Sequence, residues 1–301
     1  MIGFFVKLLA RFSAMTALLL VPAIAAPSQV TLTHVHGLAF SADGKRLYIP
    51  SHHGLAVYEG GKWSKAPGPE HDYMGFTVTR DRFYSSGHPA PGSKLVDPFG
   101  LMRSDDGGKT WTRLGLEGES DFHVLAAGYA SNAVYIYNHD PNSRMPKAGI
   151  YFTLNDGAMW QRAKAEGLRG EPSSIAVHPE DYSTVAVGTK SGLYLSTDSG
   201  DSFHSLATGP AYSVFFDLDG RHLWYGGYAK APTLARLEWR TGERHILPLP
   251  PLDRDAVAYI AQNPTKRNEY AIATFKRSVF LSRDSGKSWM EIAHEGKGLD
   301  G

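Results

Sequence analysis

The chain has 301 residues, enough for a large hydrophobic core, and its 42% hydrophobic and 20% charged residues are those of an ordinary globular protein. Formal net charge is +1 with no block of like charge, which argues against nucleic acid or an anionic membrane surface as the main partner. Cysteine is absent, so disulfides, thiolate metal sites and thiol chemistry are excluded.

The chain opens on a cationic and then apolar stretch. Lys7 and Arg11 lead into the apolar run 12–24, and Ala23-Ile24-Ala25 offers the small-x-small pattern that a signal peptidase reads. A signal peptide over 1–25 is expected, cleaved after Ala25 because a cut one residue later would place Pro27 beside the scissile bond. An uncleaved anchor is the alternative, but the run is short of the about 20 residues that a span needs. The expected address is periplasmic or secreted, with no membrane span after cleavage.

From residue 26 onward the sequence reads as short strands between frequent turns, with 32 Gly and 18 Pro spread along it. The first unit predicts an inner strand over 36–41, a second over 46–50, a third over 54–58 and a fourth over 63–65. Later inner strands are expected to begin near Met74, His123, Ser174, Ser213 and Val257. Matching second strands are expected over 134–137, 185–187, 223–225 and 270–273.

Four turns repeat one pattern, Ser/Thr-x-Asp/Asn-x-Gly-x-x-aromatic. They are Ser104-Asp106-Gly108-Trp111, Thr153-Asn155-Gly157-Trp160, Ser196-Asp198-Gly200-Phe203 and Ser282-Asp284-Gly286-Trp289. Their aromatics recur at steps of 49, 43 and 86, the last being two units with one degenerate copy near Arg240-Thr241-Gly242-Glu243. Counting back from Trp111 reaches Trp63 after the shortened turn Glu59-Gly60-Gly61-Lys62. Six units of about 45 residues fill the chain from 26 to 301. The expected fold is all-β, a six-bladed β-propeller of four-stranded antiparallel blades. In each turn the Asp or Asn side chain accepts backbone N–H groups, Gly supplies a positive φ, and the aromatic packs between blades.

In a propeller the loops entering the inner strands share one face with the loops joining second and third strands. Of 13 histidines, His34, His36, His52, His53, His71, His88, His123 and His139 fall in or beside such loops of the first three units. Imidazoles gathered at one channel mouth are the usual ligands of zinc and copper, and thioether from Met74 or Met145 on this face would favour copper. His36, His53, His88 and His123 are the leading ligand candidates; His34, His52, His71, His139 and Met74 are the lesser ones. Asp72, Asp121 and Asp140 beside them are further ligands or groups that orient an imidazole. An organic ligand in the mouth, or plain channel polarity, are the competing accounts.

The four turns resemble the Asp-box of BNR-repeat propellers. The segments His34-Val35-His36-Gly37-Leu38, Ser51-His52-His53-Gly54-Leu55, Asp72-Tyr73-Met74-Gly75-Phe76, Ser86-Gly87-His88-Pro89 and Asp121-Phe122-His123 resemble an exported bacterial family of such propellers, over nearly all of the chain after 25. Members are commonly labelled glycosyl hydrolase or sialidase-like, which implies glycoside hydrolysis. The same repeat occurs in sortilin-type receptors and in a photosystem II assembly factor, which are not enzymes. A sialidase needs an arginine triad, a Tyr helped by Glu and an acid/base Asp. Its early Phe/Tyr-Arg-Ile-Pro motif is missing here, and Arg144, Arg254 and Arg277 come from other positions. Asp72, Asp121 and Asp255 are candidate carboxylates for another glycosidase. The leading expectation is an exported propeller binding a copper or zinc ion, with a glycoside hydrolase and a docking scaffold for an exported protein as alternatives.

Overall fold

The computed structural model describes residues 30–300; the expected signal peptide lies outside the described residues. Alternating apolar residues and closely spaced turns leave the chain little choice but short antiparallel hairpins. Blade 1 is β1 (Ala39–Phe40), β2 (Arg46–Ser51), β3 (Gly54–Glu59) and β4 (Lys62–Lys65). Blade 2 is β5 (Asp72–Val78), β6 (Phe83–His88), β7 (Leu101–Ser104) and β8 (Thr112–Gly115). Blade 3 is β9 (Leu125–Ala127), β10 (Val134–Asn138), β11 (Gly149–Thr153) and β12 (Gln161–Arg162). Blade 4 is β13 (Pro172–Val177), β14 (Val185–Thr189), β15 (Gly192–Ser196) and β16 (His204–Thr208). Blade 5 is β17 (Ser213–Phe216), β18 (His222–Tyr228), β19 (Pro232–Glu238) and β20 (Arg244–Leu247). Blade 6 is β21 (Val257–Gln262), β22 (Tyr270–Thr274), β23 (Val279–Ser282) and β24 (Met290–His294), extended by a short fifth strand, β25 (Lys297–Gly298). Each sheet pairs its strands in sequence order, giving the six-bladed propeller that the repeat predicts.

Six hydrophobic clusters fill the six seams between blades. Tyr48 and Val57 of blade 1 meet Tyr73, Phe76 and Phe83 of blade 2. The final cluster joins Leu47, Ile49 and Trp63 of blade 1 to Ala271, Leu281 and Ile292 of blade 6. A core divided this way exists only if the ring closes, because an open end would leave one seam wet. Closure is also hydrogen-bonded. Leu32 N–H donates to Gly296 O at 2.7 Å, and the Trp63 indole donates to Ile292 O at 2.8 Å.

The four repeated turns fold alike. The hydroxyl of Ser104, Thr153, Ser196 or Ser282 accepts the N–H of the turn glycine at 2.8, 3.0, 2.8 and 2.8 Å. An oxygen of Asp106, Asn155, Asp198 or Asp284 accepts the N–H four residues on, at 2.9 Å in every copy. The glycine sits at φ between +79 and +88°, and at Gly200 an added Cβ would come within 2.9 Å of Ala163 in the preceding blade. Trp111, Trp160, Phe203 and Trp289 each pack into the seam with the preceding blade. In blade 5, which lacks the pattern, Trp239 packs into that seam from just before the turn.

One local expectation is corrected. The first inner strand, expected over 36–41, is regular only at Ala39–Phe40. His36 N–H still donates to Pro50 O at 3.2 Å, but proline has no N–H to return, so the ladder cannot continue.

Candidate functional site

Three histidines converge at the channel mouth. His34 and His36 lie two residues apart on the extended segment entering β1, and His52 lies in the β2–β3 loop. Their ring centroids are 5.5 Å (His34–His36), 4.3 Å (His34–His52) and 5.2 Å (His36–His52) apart. One nitrogen from each ring can be chosen so that all lie within 4.8 Å of one another. His52 Nδ1 stands 2.6 Å from Asp72 Oδ2, at the start of β5, so Nε2 is the ring nitrogen that this carboxylate does not engage. His36 Nε2 and Asp72 Oδ1 are buried, have no hydrogen-bond partner, and face each other across 3.9 Å.

Charge follows from this placement. Burial lowers the His36 pKa to about 4; the Asp72 carboxylate opposes the shift, and His52, His34 and His123 reinforce it. His36 is therefore neutral near pH 7, the form that ligates a metal. A second group adjoins the first. Asp121 Oδ2 stands 3.0 Å from His88 Nε2 and 2.8 Å from His123 Nε2, while Asp97 Oδ1 stands 2.6 Å from His88 Nδ1. Both nitrogens of His88 face carboxylates, an arrangement that favours the protonated ring. Burial pulls the His88 pKa down, but Asp97 and Asp121 outweigh it and the pKa is raised. The bond to Asp121 raises His123 against burial. Asp121 is held below the usual carboxylate range, since the two histidines outweigh its burial.

The sequence candidates divide accordingly. Of the leading four, His36 belongs to the convergent trio, whereas His88 and His123 spend nitrogens on Asp121. His53 is exposed beside Glu70 and lies outside the trio; its place is taken by His52. His71 is buried against Tyr73 and Phe99, and its Nδ1 accepts the Ala90 N–H, a structural role. His139 is exposed between Asp140 and Glu171, at 3.3 and 3.4 Å, and leaves the mouth. Met74 is partly buried on β5. Met145, expected on this face, is fully buried in the seam between blades 2 and 3, because the bonds of the Asn142 side chain and backbone fold its loop inward.

The arginines do not converge. Arg144 donates to Gly157 O, Arg277 donates to Thr33 O, and Arg254 is exposed beside Asp253. The Asp255 carboxylate accepts the N–H groups of Ala256 and Lys276. The spacing of two between His34 and His36, which puts alternate side chains on one side of an extended segment, is the signal that could have raised His34 from a lesser to a leading candidate.

Another acidic trio, Asp217, Asp219 and His222, lies on the opposite face. Its cation is already supplied: Arg236 bonds Asp217 at 2.7 Å and approaches Asp219 at 3.5 Å, while Tyr270 O–H donates to Asp217 at 2.9 Å. Burial raises the Asp217 pKa, partly offset by Arg236. The ion pair lies within blade 5, and the Tyr270 hydroxyl ties it to blade 6.

No family model matches the chain, and no curated protein matches it. Solved structures do. The chain is similar to a GH74 xyloglucanase from Xanthomonas campestris, with 16% identity, TM-score 0.57, and 88% of this chain covering 46% of that one. It is similar to a GH74 enzyme from Niastella koreensis, with 15% identity, TM-score 0.60, and 88% covering 46%. The extracellular domain of a one-component system from B. thetaiotaomicron aligns at 14% identity and TM-score 0.55, with 89% covering 34%. The chain thus spans less than half the length of each of these proteins. YCF48, solved bound to D1 peptide, aligns at 15% identity and TM-score 0.50, with 88% covering 84%. Among the described residues no helix is long and apolar enough to cross a membrane. What these likenesses establish is the architecture: the chain is a β-propeller.

Proposed function

We propose that this chain is an exported β-propeller that binds a copper or zinc ion at His34, His36 and His52, with Asp72 fixing the His52 ring. The carrying observation is the pair of buried, unpartnered atoms, His36 Nε2 and Asp72 Oδ1, facing each other beside two more imidazoles. Buried polar atoms ordinarily have partners, and a cation held by neutral imidazoles would satisfy these. Imidazole donors suit copper and zinc better than magnesium or calcium. Export is supported by the signal-peptide-like pattern of residues 1–25 and by the likeness to an extracellular domain. The test is titration of EDTA-stripped, dialysed protein with zinc and with copper, read by calorimetry and melting temperature. About one equivalent is expected, lost in His36→Gln and His52→Gln and kept in His53→Gln. Less than about a tenth of an equivalent, with no rise in melting temperature, defeats the reading.

Glycoside hydrolysis is the second reading, favoured by the likeness to GH74 enzymes. Such an enzyme pairs a general acid of raised pKa with a second carboxylate. Asp121 is shifted the opposite way, and the only raised aspartate among the described residues, Asp217, is bound to Arg236 on the far face. Turnover of aryl glycosides, abolished by Asp72→Asn or Asp121→Asn, would place this reading first. A docking role, which the likeness to peptide-bound YCF48 suggests, would be read from a stable co-purifying exported partner.

A further inference from the structure

The six inner strands enclose a cavity of about 420 Å³ along the propeller axis. That volume lies within the about 300–1,000 Å³ of small-molecule pockets. Its lining runs from His36, His123 and Tyr212, which lead into inner strands, to Tyr129, Pro179 and Pro264, which follow them. The cavity therefore extends from the histidine mouth toward the opposite face. Among the described residues no Asp, Glu, Lys or Arg contributes to this wall. Of its two histidines, His36 is held neutral near pH 7 and His123 is bonded to Asp121. An ion inside would find no counter-charge in the wall, and burying an unpaired charge is costly.

Uncharged as it is, the wall is polar in many places. Inner strands pair on one edge only, so the other edge carries backbone N–H and C=O groups without a strand partner. Serines answer some of these: Ser213 Oγ donates to Val257 O, and Ser174 Oγ accepts the Val214 N–H. The hydroxyls of Thr77, Tyr129, Tyr212 and Tyr259 line the cavity with no hydrogen-bond partner among the described residues. Burial alone pushes the pKa of Tyr259, on inner strand β21, up to about 12, so this hydroxyl keeps its proton and can both donate and accept. Between these groups Leu38, Val78, Ile175 and Val214 offer carbon contact from four blades, and more of the wall is apolar than polar. Tyr212 and Phe275, whose rings meet edge-on with centroids 6.0 Å apart, add an aromatic flank at the mouth.

We propose that the axial cavity binds an uncharged molecule built on an aromatic ring with one or two hydroxyls, one of them bonded to Tyr259. A charged head would be buried without a counter-charge, and a wholly apolar body would leave the tyrosine and threonine hydroxyls unpaired. A sugar, with a hydroxyl on nearly every carbon, would set polar groups against Leu38, Val78, Ile175 and Val214. A phenol or an aromatic alcohol matches both parts of the wall. Its ring lies against the aliphatic and aromatic side chains, and its hydroxyl finds partners that can donate and accept. The site does not require a metal ion, which would sit at the mouth and engage none of these hydroxyls.

The probe is tyrosol, an uncharged phenol with a second hydroxyl, titrated calorimetrically into the full exported protein with EDTA present. Tyramine and hydroxyphenylacetate share its ring and phenol but carry a positive and a negative charge, and glucose carries hydroxyls without the ring. Tyrosol is expected to bind at least about tenfold tighter than any of the three. Tyr259→Phe keeps the ring and removes only the hydroxyl, and is expected to weaken tyrosol about threefold to tenfold. Ala127→Phe and Ala258→Phe, from different blades, each place a ring in the cavity; whichever keeps the wild-type melting transition is expected to weaken tyrosol about tenfold or more. No detectable tyrosol binding, a comparator binding as tightly as tyrosol, or unchanged affinity in Tyr259→Phe or in a folded cavity-filled variant would each overturn the proposal. Since the titration is made without metal, a failed zinc titration of the wild type counts against the metal reading alone.

Discussion

His52 Nδ1 and Asp72 Oδ2 lie 2.6 Å apart, joining the β2–β3 loop of blade 1 to the first residue of the inner strand of blade 2. The contact holds the ring in place and engages Nδ1, leaving Nε2 as the nitrogen not taken up by the carboxylate.

Asp72→Asn tests that coupling. An amide can turn its own NH₂ toward His52 and loosen the hold on its ring, and it removes a negative charge beside the proposed metal site. Zinc affinity by calorimetry is expected to fall about 10–100-fold. Asp140→Asn, whose carboxylate accompanies the exposed His139, should leave it unchanged.

Acid sensitivity of the metal-free protein should carry the signature of His36. Its folded pKa is depressed to about 4 from 6.5, so between those values the unfolded chain binds more protons. The stability it contributes is present above pH 6.5 and is lost as pH falls toward 4. The full shift corresponds to roughly 3 kcal/mol as an upper figure. Urea unfolding in EDTA at pH 7 and pH 4.5 should show a smaller drop for His36→Gln than for wild type. An equal drop would mean that His36 is not buried neutral.

His88 and His123 have the opposite sign. Their raised pKa values give stability that is full below 6.5 and disappears as pH rises through the folded values. Removing the shared carboxylate in Asp121→Asn should lower both. Imidazole proton shifts followed through a pH titration by NMR will report the two rings directly, and unmoved titration curves would contradict the shared bond.

Stability of the repeated turns rests on the hydroxyl that caps the glycine. In Ser196→Ala the buried Gly200 N–H loses its only close acceptor, a bond of 2.8 Å. A cost of about 1–3 kcal/mol is expected, read as a lower melting temperature at unchanged circular dichroism. The exposed Ser205→Ala, on the neighbouring strand β16, should cost little.

Ring closure should be as vulnerable as the core. Leu32 is fully buried in the seam between blades 6 and 1, and its N–H is held by Gly296. Leu32→Ala is expected to destabilise by about 2–5 kcal/mol, with cooperativity retained because every seam shares one ring. A denaturation midpoint within error of wild type would show that the segment before β1 does not close the fold.

The sequence by itself determined the blades. Ser196, Asp198 and Gly200 must sit at fixed offsets, because the hydroxyl, the carboxylate and the positive φ act within a single turn, and local chemistry of that kind is written in consecutive residues. Phase then followed from Trp111, Trp160 and Phe203, and the face that gathers the histidines followed from strand order. Which imidazoles meet was decided only by the tertiary structure. His52 and His53 are neighbours of identical type, yet one turns to Asp72 and the other to solvent beside Glu70. Asp72 precedes a register shift between Tyr73 and Gly75, and bulges of this kind re-aim side chains in ways that a period of two does not record. Met145 looks surface-bound in its loop but is drawn into a seam by Asn142. Turns depend on residues three or four apart; the mouth depends on the geometry of a closed ring, which joins residues from separate blades and has no local trace.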